Sequence, residues 1–71
     1  MRRQAMKTNE EIGEKIKTIR GKLMMTQEEL ANKLHVSPQT VNRWEQGKAK
    51  PSFLSQNALR KFFEKKGEKL D

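Results

Sequence analysis

Apolar residues in the first third of the chain recur at helical spacing. Ile12, Ile16, Ile19 and Leu23 are separated by four, three and four positions, which places them on one stripe of a 3.6-residue helix. Lysines and glutamates occupy many of the positions between them. The pattern predicts a first helix over about residues 9–22, with one apolar face. No part of the chain alternates between apolar and polar residues as a half-buried strand does.

Two helix starts share one signature, a threonine followed three residues later by a glutamate. Thr8 precedes Glu11 in this way, and Thr26 precedes Glu29. In such a capping box, each side chain satisfies a backbone N–H that the helix leaves free. The second box predicts a second helix over about residues 27–34.

Two further helices follow in the second half of the chain. Ser37 is suited to the N-cap, Pro38 to the first helical position and Gly47 to the end of a helix over about residues 38–46. A fourth helix is expected over about residues 52–66, because its apolar residues again share a helical face. These residues are Phe53, Leu54, Ala58, Leu59, Phe62 and Phe63. In the turn before the second helix, Met24 and Met25 are expected to fill the core.

The length and composition limit the possible functions. The chain has 71 residues, of which 32% are apolar, so it forms one small domain at most. A chain of this size buries only about 60% of its unfolded surface, which disfavours an enzyme with a deep catalytic cavity. With one histidine and no cysteine, we expect no metal site and no disulfide. Neither a cofactor nor a small-molecule ligand is indicated.

The charge balance suggests the kind of partner. Sixteen Lys and Arg against nine Asp and Glu give a net charge of +7, which favours a polyanion. The longest apolar run, residues 23–25, is far shorter than the roughly 20 residues that a membrane span needs. We therefore expect no association with a membrane, and a cytoplasmic location.

The segment from Thr26 to Gly47, TQEELANKLHVSPQTVNRWEQG, resembles the core of the Cro/C1-type (XRE) helix-turn-helix regulators. The matching elements are the Thr-Gln start, the Leu-Ala pair, the Val-Ser turn, the Trp-Glu-x-Gly ending and the Pro-Ser that follows. The resemblance implies an all-α, lambda-repressor-like bundle of four or five short helices over residues 8–66. Residues 1–7 are expected to form a disordered basic tail and residues 67–71 a frayed end.

The resemblance also implies a function. In this family the third helix lies in the major groove of double-stranded DNA, so the chain is expected to be a small transcriptional regulator, typically a repressor. Because one half-site gives weak binding, a homodimer on an inverted repeat is expected. The counterpart of the family's buried ion pair would join Arg20 to Glu45. Where the family usually has glycine, this chain has His35, at a position that tends to require positive φ.

The helical wheel of the third helix can be drawn from the sequence alone. Val41, Trp44 and Glu45 fall on its inward side. Arginine pairs well with guanine, and glutamine or asparagine with adenine, so the outward residues suit base recognition. The outward residues are Gln39, Asn42, Arg43 and Gln46, of which Gln39 and Arg43 are the leading candidates.

Other predicted DNA contacts surround this helix. By analogy with the family, Gln27 is expected to contact a backbone phosphate at the start of the second helix. Lys48 and Lys50 are expected to hold flanking phosphates, and the hydroxyls of Ser37 and Thr40 lie where a phosphate or a base edge is within reach. The predicted DNA-binding set is Gln27, Ser37, Gln39, Thr40, Asn42, Arg43, Lys48 and Lys50.

Two other functional hypotheses are considered. The first is a protein-interaction module, such as an antitoxin or adaptor with secondary DNA binding, which excess apolar surface on the fourth helix would favour. The second is RNA binding, which is disfavoured because RNA readers commonly stack bases on exposed aromatic residues and Trp44 is expected to face inward.

Overall fold

The computed structural model describes residues 8–70, which contain four helices and no strand. The helices are α1 (Asn9–Lys22), α2 (Gln27–Leu34), α3 (Pro38–Glu45) and α4 (Phe53–Lys65). The all-α prediction is confirmed, and each helix boundary lies within one residue of its predicted position. The described range contains no fifth helix. The predicted basic tail, residues 1–7, lies outside this range.

Every helix begins with a hydroxyl side chain as its N-cap. The hydroxyl accepts a hydrogen bond from the backbone N–H three residues further on, which satisfies one of the free donors of the first turn. Both predicted capping boxes are present, at α1 and α2. The four N-cap residues are Thr8, Thr26, Ser37 and Ser52.

Every helix also ends in the same way, with a residue of positive φ shortly after its last turn. The next residue donates its N–H to a carbonyl five positions earlier, at 2.9–3.0 Å, which is the Schellman arrangement. Two of these positions hold glycine and two do not. The φ values are 57° at Met24, 59° at His35, 75° at Gly47 and 82° at Gly67.

The core lies between α3 and the helices around it. Helix α3 packs against α1 and α2, and α2 also contacts α4. Side chains from all four helices are buried together in one cluster. Val41 and Trp44 are the residues that anchor α3 in it. The buried apolar residues are Ile12, Ile16, Ile19, Leu30, Ala31, Val41, Trp44, Leu59, Phe63 and Leu70.

Met24 corrects one prediction. Met25 packs against the core as expected, but the side chain of Met24 is 89% exposed. Met24 holds the left-handed position in the turn between α1 and α2, and this conformation directs its side chain to solvent. Residue spacing alone does not reveal such a reversal.

The segment after α4 packs against the core. After Gly67, the N–H of Glu68 donates to the carbonyl of Phe63 at 2.9 Å, and the chain turns back along the bundle. Leu70 is then only 4% exposed and belongs to the core. The segment that is expected to fray thus packs against the core as far as residue 70, through the buried side chain of Leu70.

A close backbone approach at Gly13 was not predicted. A Cβ at this position would overlap the carbonyl oxygen of Trp44 and lie 3.1 Å from the backbone of Glu45. Only glycine therefore lets α1 pack this closely against the end of α3. The signal in the sequence is an isolated glycine inside a helical pattern, which otherwise weakens a helix.

Within residues 8–70, no helix combines the length and apolar character that crossing a membrane requires.

Candidate nucleic-acid interface

The outer face of α3 is polar and exposed. Val41 and Trp44 are buried on the inner side, as the helical wheel predicts, whereas Gln39, Arg43 and Gln46 are exposed on the other. With Asn42 and Lys48, these three residues line a shallow, open concavity of about 320 Å³. The lining offers an Arg fork, three side-chain amides and one ammonium group to a ligand.

Three of these side chains are free to bind. Within residues 8–70, Gln39, Arg43 and Gln46 form no side-chain hydrogen bond and no ion pair with the rest of the domain. Their polar atoms are therefore left to solvent or to a ligand. Exposed Gln and Arg side chains on one short helix provide the donors and acceptors that base edges in the major groove require.

Two lysines extend the positive charge beyond α3. Lys48 and Lys50 are both exposed in the connection between α3 and α4, and Lys48 also lines the concavity. Ammonium groups in this position are well placed to attract phosphates beside a helix that lies in a groove.

The hydroxyls of Ser37 and Thr40 are engaged with each other. Ser37 Oγ accepts the backbone N–H of Thr40 at 3.1 Å and lies 2.8 Å from Thr40 Oγ1. Both side chains therefore take part in capping α3. Their predicted contact with DNA stays a prediction, and it has to share these atoms with the cap.

Gln27 and Asn42 differ from the free side chains of α3. Both are half-buried, and Asn42 Nδ2 lies 3.4 Å from Gln27 Oε1. Gln27 Nε2 in turn donates to Glu45 Oε1 at 2.9 Å. The sequence placed Asn42 on the outer face and Gln27 at a phosphate, but did not indicate the hydrogen bond between them, because it joins residues on different helices.

A bidentate ion pair connects α1 to the end of α3. Arg20 Nε donates to Glu45 Oε2 at 2.7 Å, and Arg20 Nη2 donates to Glu45 Oε1 at 2.9 Å. Arg20 Nη1 also donates to the carbonyl of Met25 at 2.8 Å, so one side chain ties both α3 and the α1–α2 turn to α1. The Glu45 side chain is 4% exposed and that of Arg20 is 18% exposed.

The same contact acts on the protonation of Arg20. Its hydrogen bonds to Glu45 raise the pKa of the guanidinium above its ordinary value, against the opposing effect of burial. A raised pKa in the folded state stabilises the fold at all pH values below the unfolded pKa, and this contribution is lost only in the strongly alkaline range. Arg20 therefore adds no pH dependence to stability near neutral pH.

An acidic surface borders one end of the polar face. Gln46 also lines a second concavity of about 300 Å³, together with Glu10, Glu11, Glu14 and Glu45. Glu45 is paired with Arg20, but the exposed carboxylates of Glu10, Glu11 and Glu14 disfavour the approach of a phosphate from this side. Among the described residues, no group of His, Cys, Asp or Glu has an arrangement that would hold a metal ion.

These features define a class of protein. Two short helices meet across a turn, the second of them is anchored on its inner side, and its outer side carries free Gln and Arg side chains. This is the architecture of a helix-turn-helix DNA-binding domain.

Comparison with known proteins identifies the family. A family model described as helix-turn-helix matches residues 16–66, and the chain belongs to this family, in its Cro/C1 (XRE) type. A curated relative, the HTH-type transcriptional activator BcrR of Enterococcus faecalis, is 40% identical over 53 residues. The match covers 75% of this chain but only 26% of that relative, so the chain corresponds to about a quarter of its length. No solved structure matches the chain.

Proposed function

We propose that the chain binds a specific sequence of double-stranded DNA and regulates transcription, with the outer face of α3 in the major groove. The observation that carries the proposal is the set of free polar side chains on α3, Gln39, Arg43 and Gln46. If the outer face of α3 served only to keep the domain soluble, any charged residues would suffice there. Bidentate pairing requires the Gln and Arg types that occur here.

Contacts to the DNA backbone complete the proposal. Lys48 and Lys50 hold phosphates beside the groove, and their neutralisation of charge releases counterions, so the affinity falls as salt rises. Gln27, Ser37 and Thr40 lie at helix starts, where backbone N–H groups and the positive helix end also favour a phosphate. Sequence preference then depends on the face of α3, and affinity depends largely on the surrounding cations.

The direction of regulation depends on where the binding site lies relative to the promoter. We expect repression, because a small domain that covers a promoter blocks access to it without further contacts. The relative that is named a transcriptional activator supports activation instead. A reporter gene with the selected site placed either within or upstream of the promoter separates the two.

The experiment that tests this proposal is selection of bound sequences from a random duplex pool at about 150 mM salt, which suppresses purely electrostatic binding. Enrichment of an inverted repeat supports a homodimer, and enrichment of one half-site supports a monomer. If no sequence is enriched and binding vanishes as salt rises, α3 is an ordinary basic surface and the proposal is wrong.

Arg43→Ala and Lys48→Ala form a matched pair for the selected site. Arg43→Ala should remove the preference for one base pair, which corresponds to a loss of about 1–3 kcal/mol in binding free energy at the selected site. Most of the non-specific affinity should remain. Lys48→Ala should weaken binding to all sequences alike. It should also reduce the slope of log affinity against log salt concentration by about one. Equilibrium titrations at several salt concentrations measure both effects. An unchanged base preference in Arg43→Ala would contradict the assigned role of α3.

A second candidate function is supported by one observation on α4. Phe53 and Leu54, at its start, are 76% and 78% exposed, and adjacent exposed apolar side chains are typical of protein contacts. An antitoxin or adaptor would use such a surface for its main partner and bind DNA secondarily. The pool selection decides between the two, because such a module gives little or no enrichment.

A further inference from the structure

A chain of hydrogen bonds runs from the ion pair to the outer face of α3. The Glu45 carboxylate receives two bonds from Arg20 and one from the Gln27 amide, and the Gln27 oxygen receives one from Asn42. The four residues come from α1, α2 and α3. Only the last, Asn42, lines the concavity beside Gln39 and Arg43.

The chemistry of Glu45 sets the direction of every bond in this chain. A carboxylate paired with a guanidinium only accepts hydrogen bonds, so Gln27 has to turn its NH₂ group towards Glu45. The oxygen of the Gln27 amide then faces α3 and can only accept. Asn42 therefore has to turn its nitrogen towards Gln27, which leaves its Oδ1 and one N–H hydrogen for the outer face.

We propose that Gln27 is a positioning residue that fixes the Asn42 amide for recognition of adenine. The inference rests on the function proposed above, and it adds a specificity to one position of the site. Of the bases in the major groove, adenine offers an amino group at N6 that donates to Oδ1 and an N7 that accepts from the remaining N–H. Guanine presents O6 in place of the amino group, and its lone pairs face those of the fixed Asn42 oxygen.

Fixing the amide also contributes to discrimination. A free asparagine rotates its amide by half a turn and then offers its NH₂ group to a keto oxygen. In this structure, such a rotation would place two oxygens against each other between Asn42 and Gln27. The penalty for the wrong base is therefore set by residues that do not touch the base.

The test begins with the sequence selected by the wild-type chain. Asn42→Ala identifies the base pair that Asn42 reads, through loss of preference at that pair alone. The adenine there is then replaced by purine, which lacks the 6-amino group. The wild-type chain should bind this duplex about five- to a hundredfold more weakly, as expected for a bidentate contact.

Gln27→Met is the decisive variant, because it keeps the size of the side chain and removes its amide. We expect the preference for adenine over guanine at this base pair to fall about five- to tenfold, while the base preference assigned to Arg43 stays intact. In the double variant Gln27→Met/Asn42→Ala, the preference should be no weaker than in Asn42→Ala alone, which shows that the two residues act as a unit.

Two controls separate positioning from loss of structure. Gln56→Met removes another intradomain bond of a glutamine amide, to the carbonyl of Pro51 at 3.0 Å, and should leave every base preference unchanged. Gln27→Asn keeps an amide that is too short to bridge Glu45 and Asn42, so it should behave like Gln27→Met. Thermal unfolding of each variant verifies that binding is measured on folded protein.

The possible outcomes are distinct. If Gln27→Met weakens binding to all duplexes equally and leaves the base preferences and the salt dependence unchanged, Gln27 is an uncharged phosphate contact and the positioning role is wrong. If Asn42→Ala changes no preference while Arg43→Ala does, Asn42 reads no base, and the function proposed above stands without this refinement. If the wild-type chain enriches no sequence, the proposed function itself is wrong.

Discussion

Two residues hold backbone conformations that side chains disfavour. Met24 and His35 lie at φ 57° and 59°, in the left-handed region, which costs an L-residue about 1–2 kcal/mol. Histidine is enriched there relative to most non-glycine residues, whereas methionine is not. The cost at Met24 is not offset by burial, since its side chain is 89% exposed.

Replacing Met24 by glycine should therefore stabilise the domain. We expect Met24→Gly to raise the free energy of unfolding by about 0.5–1 kcal/mol, because relief of strain exceeds the extra entropy of glycine in the unfolded chain. His35→Gly should give a smaller gain. Urea unfolding of the three proteins measures the difference.

The converse control is Gly67→Ala, because φ is 82° at Gly67 and no atom obstructs a Cβ there. This variant should be less stable than the wild-type chain. A loss of stability in Met24→Gly would contradict the assigned backbone strain.

At the scale of the helices, prediction from sequence succeeded where the signals are local. Hydroxyl N-caps, capping boxes and the spacing of Ile12, Ile16 and Ile19 each involve residues within one or two turns of one another, so they fix the helix boundaries without the fold. The free face of α3 was predicted for the same reason, because the helical period alone separates Arg43 from Val41.

The features that were missed depend on contacts between distant parts of the chain. Gly13 meets the backbone of Trp44, and Leu70 enters a core assembled from all four helices. Gln27 and Asn42 are hydrogen-bonded across two helices. No spacing along one helix encodes such pairs, because they form only after α1, α2 and α3 have taken their places.

The two glycines of α1 provide a test of how this helix packs. Gly13→Ala should destabilise by about 1–3 kcal/mol, since its Cβ overlaps backbone that cannot rotate away as a side chain does. Gly21→Ala should stabilise by up to about 0.5–1 kcal/mol, because nothing lies within 4 Å of its Cβ and alanine favours helix. Chemical denaturation measures both. Equal effects of the same sign would show that α1 does not pack on α3 through Gly13.

For the whole molecule, the segment after α4 closes the core. Leu70 is 4% exposed although it lies beyond the last helix. The nearby ion pair between Lys22 and Glu68, at 3.8 Å, is largely solvent-exposed and contributes little. Burial of one leucine therefore holds this segment against the bundle, in a domain with a small core.

Removing that side chain should weaken the entire domain. Leu70→Ala is expected to lower the free energy of unfolding by about 2–4 kcal/mol, because it leaves a cavity in the core. The neighbouring exposed Lys69→Ala should change it by less than about 0.5 kcal/mol. Thermal and urea unfolding measure both. If Leu70→Ala matches Lys69→Ala, the segment does not contribute to the core in solution.

The free side chains of α3 determine which substitutions in this helix can be fixed one at a time and which need a second substitution. The side chains of Gln39, Arg43 and Gln46 form no hydrogen bond and no ion pair within residues 8–70, so their replacement leaves the stability of the scaffold almost untouched. The recognition preference that we assign to this face can therefore drift by single mutations through folded intermediates. Asn42 is the exception, because replacing it by a side chain without a suitably placed donor leaves the oxygen of Gln27 unpaired within the domain. That position should evolve together with α2, as a linked pair, while its neighbours vary alone.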